Sequence, residues 1–254
     1  MKQWNTAFLA STALSGALLL AAAVGAQQKP ERKEVRFVEP AFVTAGQPAT
    51  LKIYGQDLPA SALRFDESRI LVKSVRAGTF MPKDDAEKRR GNSLVEVEVE
   101  PAADLKPGRY PFLLTGEKEI EARGEVTVDV PAPETQEQEP NHDLRKPQEL
   151  PAGSVTVLGT LNQEGADVFQ FQGKAGETWR IELFSKRLNP AIEFEPVLRL
   201  RDPRRAPLRA AVSFYGDCFI EVKLPEDGPY LVELTDGDNR AQDAWKYRLA
   251  LRKL

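Results

Sequence analysis

The 254-residue sequence is poor in the side chains that build most metal and redox centres, with one histidine, one cysteine and two methionines. A structural zinc centre or a helical zinc-protease motif needs more histidine or cysteine than this, so both are excluded. A disulfide within the chain is excluded because Cys218 has no second cysteine to pair with. Three kinds of function stay open: carboxylate chemistry, calcium or magnesium bound through oxygen, and recognition without catalysis.

The first 26 residues have the pattern of a secretory signal. Lys2 is followed by an uncharged run of apolar or small residues over 7–24, and the small residues Val24 and Ala26 precede Gln27. The pattern predicts a signal peptide over residues 1–26, cleaved after Ala26, and a secreted or periplasmic protein without a membrane span after cleavage. The alternative is a retained membrane anchor, because the run is just long enough to cross a bilayer.

The charge is mixed and slightly acidic, with 35 basic and 38 acidic side chains and a formal net charge of −3. Nucleic-acid-binding proteins usually carry a basic stripe and a positive net charge, which this chain lacks. We therefore expect a protein or glycan partner at the cell envelope and no nucleic acid. The composition does not indicate an oligomeric state.

Apolar residues alternate with polar ones along most of the chain, and no segment sustains a helical repeat. Val95, Val97 and Val99, for example, share one strand face, and glutamates separate them. Turn signals such as that at 106–108 divide the strands. Strands with one wet face at this spacing predict an immunoglobulin-like β-sandwich over residues 31–130.

Residues 131–140 contain three prolines, no large apolar residue and no basic residue, which predicts a Pro/Glu-rich linker. The strand pattern resumes over residues 141–254 and predicts a second sandwich of the jelly-roll type. Turn signals at 173–176, 225–228 and 236–238 predict hairpins there. The predicted fold class is therefore all-β, with two β-sandwich domains in tandem after the signal peptide.

The aromatic residues of the second half divide into predicted core and predicted surface. Trp179 shares a strand face with Ile181 and Leu183, which places it in the core. Phe184 and Tyr215 are the predicted exposed pair and are candidates to contact a sugar ring or a peptide.

The single cysteine also falls within a strand pattern. Cys218 alternates with Ile220 and Val222, which predicts a buried and unreactive thiol. The alternative, in an oxidising compartment, is a reactive thiol.

Four arginines cluster around two prolines on one predicted hairpin: Arg201, Arg204, Arg205 and Arg209. With Tyr215, the residues Arg204 and Arg205 are the candidates to bind an anionic glycan or the carboxylates of a partner protein. The alternative is that Asp202 and Asp217 neutralise the arginines locally.

The acidic segment over residues 137–143 is the strongest candidate site. Glu137, Glu139, Asn141 and Asp143 offer four side-chain oxygen donors within seven residues. Calcium takes six to eight oxygen ligands in a flexible shell, so the segment predicts a calcium site. The alternative is that these carboxylates only solvate a linker, with Asn141 and Asp143 starting a turn.

Enzymatic interpretations have little support in the sequence, and no catalytic residue is predicted. His142 lies beside Asp143, but nothing in a linker positions it, and the chain has no Gly-x-Ser-x-Gly elbow. A carboxylate-dependent glycosidase stays open as an alternative because composition does not exclude a pair of acids. No such pair stands out from the many glutamates, so the protein is predicted not to be an enzyme.

The second half carries an ordered set of short motifs: Glu139-Pro140-Asn141, Gly159-Thr160-Leu161, Asp167-Val168-Phe169-Gln170-Phe171, Lys174-Ala175-Gly176-Glu177, Asp227-Gly228-Pro229-Tyr230 and Tyr247-Arg248-Leu249. From about residue 137 to the end, this set resembles the bacterial pre-peptidase C-terminal domain family. The resemblance implies a jelly-roll sandwich of an exported protein that binds or assists rather than catalyses. Some members of that family bind collagen.

The first half is similar to immunoglobulin-like IPT/TIG domains, through Val38-Glu39-Pro40, Ala45-Gly46, Gly55-Gln56-Asp57-Leu58 and Pro107-Gly108-Arg109-Tyr110. The tandem of such a domain before a pre-peptidase-type module resembles an arrangement in exported proteins of planctomycetes and related bacteria.

The resemblance to the pre-peptidase family also implies a calcium ligand set. Glu137, Glu139 and Asn141 match the linker motif of its calcium-binding members, whereas His142 stands where that motif has an aspartate. Asp143 would then have to substitute for the missing carboxylate. The implied set is Glu137, Glu139, Asn141, Asp143, Glu164 and Asp167.

The sequence thus predicts a non-catalytic, exported binding, adhesion or scaffold protein of the cell envelope, stabilised by calcium at the linker. The alternative is an accessory protein that assists a secreted peptidase by binding or chaperoning its substrate.

Overall fold

The computed structural model describes residues 32–117, 120–162, 165–188, 192–212 and 217–254. The predicted signal peptide over 1–26 lies outside these ranges, as do Glu164 and Tyr215. Within these ranges, no helix has the length and apolar character needed to cross a membrane. The structure is all-β, as predicted, apart from one turn of helix, α1 (Asp85–Lys88).

Eight strands form the first sandwich: β1 (Arg32–Glu39), β2 (Val43–Thr44), β3 (Ala49–Gln56), β4 (Ala62–Phe65), β5 (Ile70–Gly78), β6 (Ser93–Pro101), β7 (Gly108–Thr115) and β8 (Glu121–Asp129). They run in the order β4-β7-β8-β1-β3-β6-β5, with β2 beside β8. Strand β1 pairs in parallel with β8 over residues 32–34 and antiparallel with β3 over residues 34–39, with a register shift after Val35. The sheet therefore folds over a core to which both halves contribute, including Leu51 and Val97 on one side and Leu114 and Val128 on the other.

Ten strands form the second sandwich: β9 (Glu134–Gln136), β10 (Gln148–Glu149), β11 (Val155–Thr160), β12 (Asp167–Gly173), β13 (Thr178–Phe184), β14 (Pro196–Arg201), β15 (Pro207–Val212), β16 (Phe219–Lys223), β17 (Gly228–Asp236) and β18 (Lys246–Lys253). Two five-stranded sheets, β10-β12-β17-β14-β15 and β16-β13-β18-β11-β9, enclose one core. Trp179 lies in that core with 1% of its surface exposed, and its ring packs against Phe171 of the opposite sheet. The predictions of a core Trp179 and a buried Cys218 are both confirmed.

The segment predicted as a linker contributes a strand to the second sandwich. Residues Glu134–Gln136 form β9, which pairs in parallel with β11. The strand contains no apolar residue, so its sequence carries no strand signal. Main-chain hydrogen bonds hold it, such as the 2.9 Å bond from the N–H of Glu137 to the carbonyl of Leu158.

The three hairpins predicted in the second half are wrong. The turns at 173–176, 225–228 and 236–238 are real, but each joins strands that belong to different sheets. Turn residues and alternation indicate where the chain reverses direction. They do not indicate whether the next strand joins the same sheet or the opposite one. The arginine-bearing turn, by contrast, does form a hairpin, between β14 and β15.

The prediction that Phe184 is exposed is also wrong. Phe184 is 1% exposed and its ring centroid lies 5.5 Å from that of Phe42 in the first sandwich. Ala41 and Ala250 complete this small cluster. Alternation correctly places Phe184 on the outer face of its sheet, but the first sandwich covers that part of the face.

Besides the cluster around Phe184, ion pairs and hydrogen bonds between charged side chains join the two sandwiches. The buried carboxylate of Asp129, at the end of β8, accepts hydrogen bonds from Arg252 at 2.6 and 2.7 Å and from Arg248 at 2.5 Å. Burial opposes ionisation of Asp129, but the two guanidinium groups outweigh it, so the pKa lies below its ordinary value. Arg109 reaches Glu182 of the second sandwich at 3.1 Å. These pairs fix the position at which the chain enters β9.

Candidate metal centre

Three carboxylates from two separate parts of the chain meet beside β9. Glu137 and Glu139 follow β9 directly, and Asp167 is the first residue of β12. One carboxylate oxygen from each lies within 4.8 Å of those of the other two. The fold therefore joins the acidic segment to the start of the Asp-x-Phe-x-Phe strand.

Main-chain hydrogen bonds fix the segment that carries the two glutamates. Glu137 is bonded to β11 as described above, and the carbonyl of Asn141 accepts from the N–H of Val168 in β12 at 2.9 Å. Between these points, the carboxylate of Glu139 accepts from the N–H of Asn141 at 3.0 Å. The segment is thus anchored at both ends, to one sheet and then to the other.

Glu137 is the most firmly held of the three carboxylates. It accepts hydrogen bonds from the hydroxyl of Tyr247 at 2.6 Å, the side-chain amide of Asn141 at 3.0 Å and the N–H of Thr160 at 2.8 Å. A Cβ at Gly159 would lie 2.4 Å from the Tyr247 hydroxyl and 2.8 Å from Glu137 Oε2. Only glycine leaves room for this arrangement.

The cluster holds more negative charge than its burial favours. Asp167 is 3% exposed, and burial together with the neighbouring Glu137 carboxylate raises the pKa of Asp167 to about 8. Burial and the same two carboxylates also raise the pKa of Tyr247 well above its ordinary value. Burial and the Glu137 carboxylate therefore both favour the protonated form of Asp167, whereas a bound divalent cation would favour the ionised form.

The donor set fits calcium. Asn141 is fully buried, and its Oδ1 has no hydrogen-bond partner among the described residues, although its Nδ2 is bonded to Glu137. A buried amide oxygen without a partner is uncommon and calls for a ligand or a water. Together with the three carboxylates, Asn141 would complete a set of oxygen donors alone, as calcium prefers.

Four of the predicted ligands, Glu137, Glu139, Asn141 and Asp167, are neighbours in the structure, whereas Asp143 is not part of the cluster. Asp143 instead forms an ion pair with Arg145 at 2.8 Å, and the hydrogen bond from Arg145 lowers the pKa of Asp143 to about 2. His142 is 46% exposed, with Nδ1 3.8 Å from Glu139 Oε2. Glu164 lies outside the described residues.

Tyr247 belongs to the cluster and was not predicted to do so. It is 2% exposed, and its hydroxyl also lies 2.9 Å from Asp167 Oδ2. In the sequence it alternates with Leu249 and Leu251, a pattern that identifies a core strand residue. Nothing in that pattern indicates where the hydroxyl end of the side chain lies.

The arginine hairpin is only partly neutralised, and not by the predicted aspartates. Arg201 pairs with Glu233, and Arg204 pairs with Glu226 at 3.1 Å. Asp202 accepts hydrogen bonds from the main-chain N–H groups of Arg204 and Ala206 at 2.9 and 2.8 Å, so it stabilises the turn.

Asp217 lies elsewhere, at the junction of the sandwiches. Its carboxylate accepts from the N–H groups of Ser185 and Lys186 at 2.8 and 2.9 Å. Asp217 is therefore not part of the hairpin, and neither Asp202 nor Asp217 forms an ion pair with one of its arginines. Tyr215, the third candidate there, lies outside the described residues.

The structure is that of an all-β protein with two sandwiches. Its cluster of oxygen donors lies in the second sandwich, between the segment that follows β9 and the start of β12. The sequence matches no protein-family model, and comparison with curated proteins gives no match. Several solved structures are similar in fold.

One is the pre-peptidase C-terminal domain of a collagenase from Bacillus anthracis, at 14% identity and a TM-score of 0.34, covering 48% of this chain and 99% of that chain. Another is PliG of Aeromonas hydrophila, a periplasmic inhibitor of g-type lysozyme, at 13% identity and a TM-score of 0.31, covering 48% of this chain and 98% of that chain. A third is SGBP-B of the Bacteroides ovatus mixed-linkage glucan utilization locus, solved with a heptasaccharide, at 11% identity and a TM-score of 0.26, covering 85% and 73%.

Proposed function

We propose that the protein is a non-catalytic binding, adhesion or scaffold protein exported to the cell envelope, stabilised by calcium at the segment that leads from the first sandwich into the second. The observation that supports this most is the cluster of Glu137, Glu139 and the buried Asp167, together with the unpartnered Oδ1 of the neighbouring Asn141. Export is inferred from the signal pattern of residues 1–26.

The cluster suits a structural role better than a catalytic one. A catalytic acid or base must come within hydrogen-bond reach of a substrate. Asp167 is 3% exposed and Asn141 is fully buried, and Glu137 already accepts three hydrogen bonds from the protein. We therefore assign these groups to holding an ion and not to a reaction.

Calcium at this position would join the segment that enters the second sandwich to strand β12 of that sandwich. Glu137 and Glu139 lie on that segment, and Asp167 lies on β12. The same segment begins directly after Asp129, which is paired with Arg248 and Arg252. The ion and the ion pairs together would fix one orientation of the two sandwiches and so present a defined surface to a partner.

The proposed function is tested by capture from an envelope fraction. We expect immobilised protein, residues 27–254, to retain an envelope protein or glycan in about 5 mM CaCl2, a concentration suited to extracellular calcium sites, and to release it in EDTA. Glu139→Gln is the matched variant, because it removes one carboxylate charge from the proposed calcium site and keeps the size of the side chain. The Glu139 side chain is 31% exposed. Retention that is equal in calcium and EDTA, or the absence of any retained component, would contradict the proposal.

Exchange of His142 for Asp is expected to tighten calcium binding several-fold, because ligand charge tunes calcium affinity. His142 Nδ1 lies 3.8 Å from Glu139 Oε2, so a carboxylate at this position adds negative charge beside the cluster. In EDTA the same substitution should lower the melting temperature, since the added charge repels Glu139. The control is His142→Asn, which shortens the side chain without adding charge. Weaker or unchanged calcium binding in His142→Asp would show that the ion does not bind at this cluster.

A further inference from the structure

Strand β15 is a free edge of the second sandwich. Within the described residues it pairs only with β14, at the end of the order β10-β12-β17-β14-β15. One row of its main-chain N–H and C=O groups therefore has no hydrogen-bonded strand partner among the residues that the structure describes. Six residues at the rise of a strand give an edge about 20 Å long, which is enough to pair with a short peptide.

This edge carries positive charge that the described part of the chain does not neutralise. Arg199, Arg205 and Arg209 are exposed and form no ion pair with a described carboxylate. Arg204 adds a fourth charge, because its pair with Glu226 leaves it 80% exposed and such surface pairs are weak. The whole chain has a net charge of −3, so the edge is opposite in sign to the protein.

The side chains along β15 leave room for another backbone. Ala210 is exposed and small, and Val212 is 57% exposed at the end of the strand. Leu208 and Ala211 pack against the core and hold the strand in place. A neighbouring strand would thus find main-chain groups, Val212 and Arg209 on β15, with Arg205 in the turn before β15 and Arg199 on the adjacent β14.

The other long edges differ from β15. Lys73 and Arg76 on β5 pair with Glu100 and Glu96, and a register shift after Val72 bends that strand. On β16, Glu221 is paired with Arg180. Charged side chains on an edge strand commonly prevent that strand from pairing with a second copy of itself. Two copies of β15 would likewise repel each other through their arginines. An unneutralised edge of one sign favours a partner of the opposite sign.

We propose that β15 binds an acidic polypeptide segment in extended conformation, which adds to the sheet as a further strand. Main-chain hydrogen bonds to β15 would supply affinity, and glutamate or aspartate side chains would pair with Arg199, Arg205 and Arg209. The proposal rests on the proposed binding function and names the chemistry of the partner.

The test uses a fluorescein-labelled peptide of alternating glutamate and valine, with binding followed by fluorescence anisotropy in calcium. Wild-type protein is expected to bind it, and the double variant Arg205→Glu/Arg209→Glu to bind at least tenfold more weakly. The matched control is Arg64→Glu/Arg123→Glu, which makes the same charge change at exposed positions of the first sandwich. The control should stay within twofold of wild type.

A second peptide, N-methylated at alternate residues, tests the strand pairing itself. It keeps every charge and loses main-chain donors, so it should bind at least tenfold more weakly than its parent. Equal binding of the two peptides, equal loss in both double variants, no binding of the parent peptide, or binding of an alginate oligosaccharide in its place would each overturn the proposal. The calcium-dependent melting temperature of the same samples reports on the proposed calcium centre separately, so the two failures are distinguishable.

Discussion

Replacing Asp129 with alanine is expected to lower the free energy of unfolding by about 3–5 kcal/mol, the usual cost of leaving a buried charge without its partner. Arg252 is 1% exposed and Arg248 7% exposed, and both direct hydrogen bonds to this one carboxylate. Without it, two guanidinium groups would remain in the junction between the sandwiches with no opposite charge. Urea denaturation followed by circular dichroism measures the change.

The matched control for Asp129 is Asp104→Ala. Asp104 is 76% exposed and pairs with Arg69 at 3.3 Å, so its removal should cost less than about 1 kcal/mol. The pKa of Asp129 lies below its ordinary value, so its stabilisation is complete above the unfolded pKa and is lost as the pH falls through the folded pKa. Equal effects of the two substitutions would show that the Asp129 pair does not hold the junction.

Phe184→Ala is expected to destabilise the protein by about 3–5 kcal/mol, as truncation of a fully buried aromatic residue does. The ring packs against Phe42, Ala41 and Ala250, which bring the two sandwiches together. Met81, which is 80% exposed, supplies the control, and Met81→Ala should change stability by less than about 0.5 kcal/mol. A cost for Phe184 as small as that for Met81 would mean that the ring is on the surface, as its sequence pattern predicts.

Much of the fold follows from local patterns in the sequence. Period-two alternation correctly identifies strand faces and places Trp179 and Cys218 in the core, because a strand with one buried face must alternate. What the patterns do not contain is long-range pairing. They do not show that β9 joins β11, that the turns at 173–176 and 225–228 cross between sheets, or that the first sandwich covers Phe184.

The candidate site is likewise predictable where it depends on neighbouring residues in the sequence, and not where it depends on long-range packing. The carboxylates of the acidic segment are visible in the sequence because four oxygen donors lie within seven residues. Tyr247 and Gly159 are not, since their roles depend on a hydroxyl and an empty space that only the packed sheets create. The sequence also does not show that Asp143 turns to Arg145 and leaves the cluster.

The central claim is that Glu137, Glu139, Asn141 and Asp167 hold a calcium ion, and a calcium titration of EDTA-treated protein followed by melting temperature tests it most directly. With the affinity of roughly 0.1–1 mM typical of extracellular modules, about 10 mM calcium should stabilise the protein by about 1.4–2.7 kcal/mol, or about 3–10 °C. Magnesium, which dehydrates reluctantly and demands octahedral geometry, should give a much smaller shift. Loss of most of the calcium shift in Glu139→Gln would support the assignment to this cluster. A melting temperature that stays unchanged at about 10 mM calcium would contradict the account.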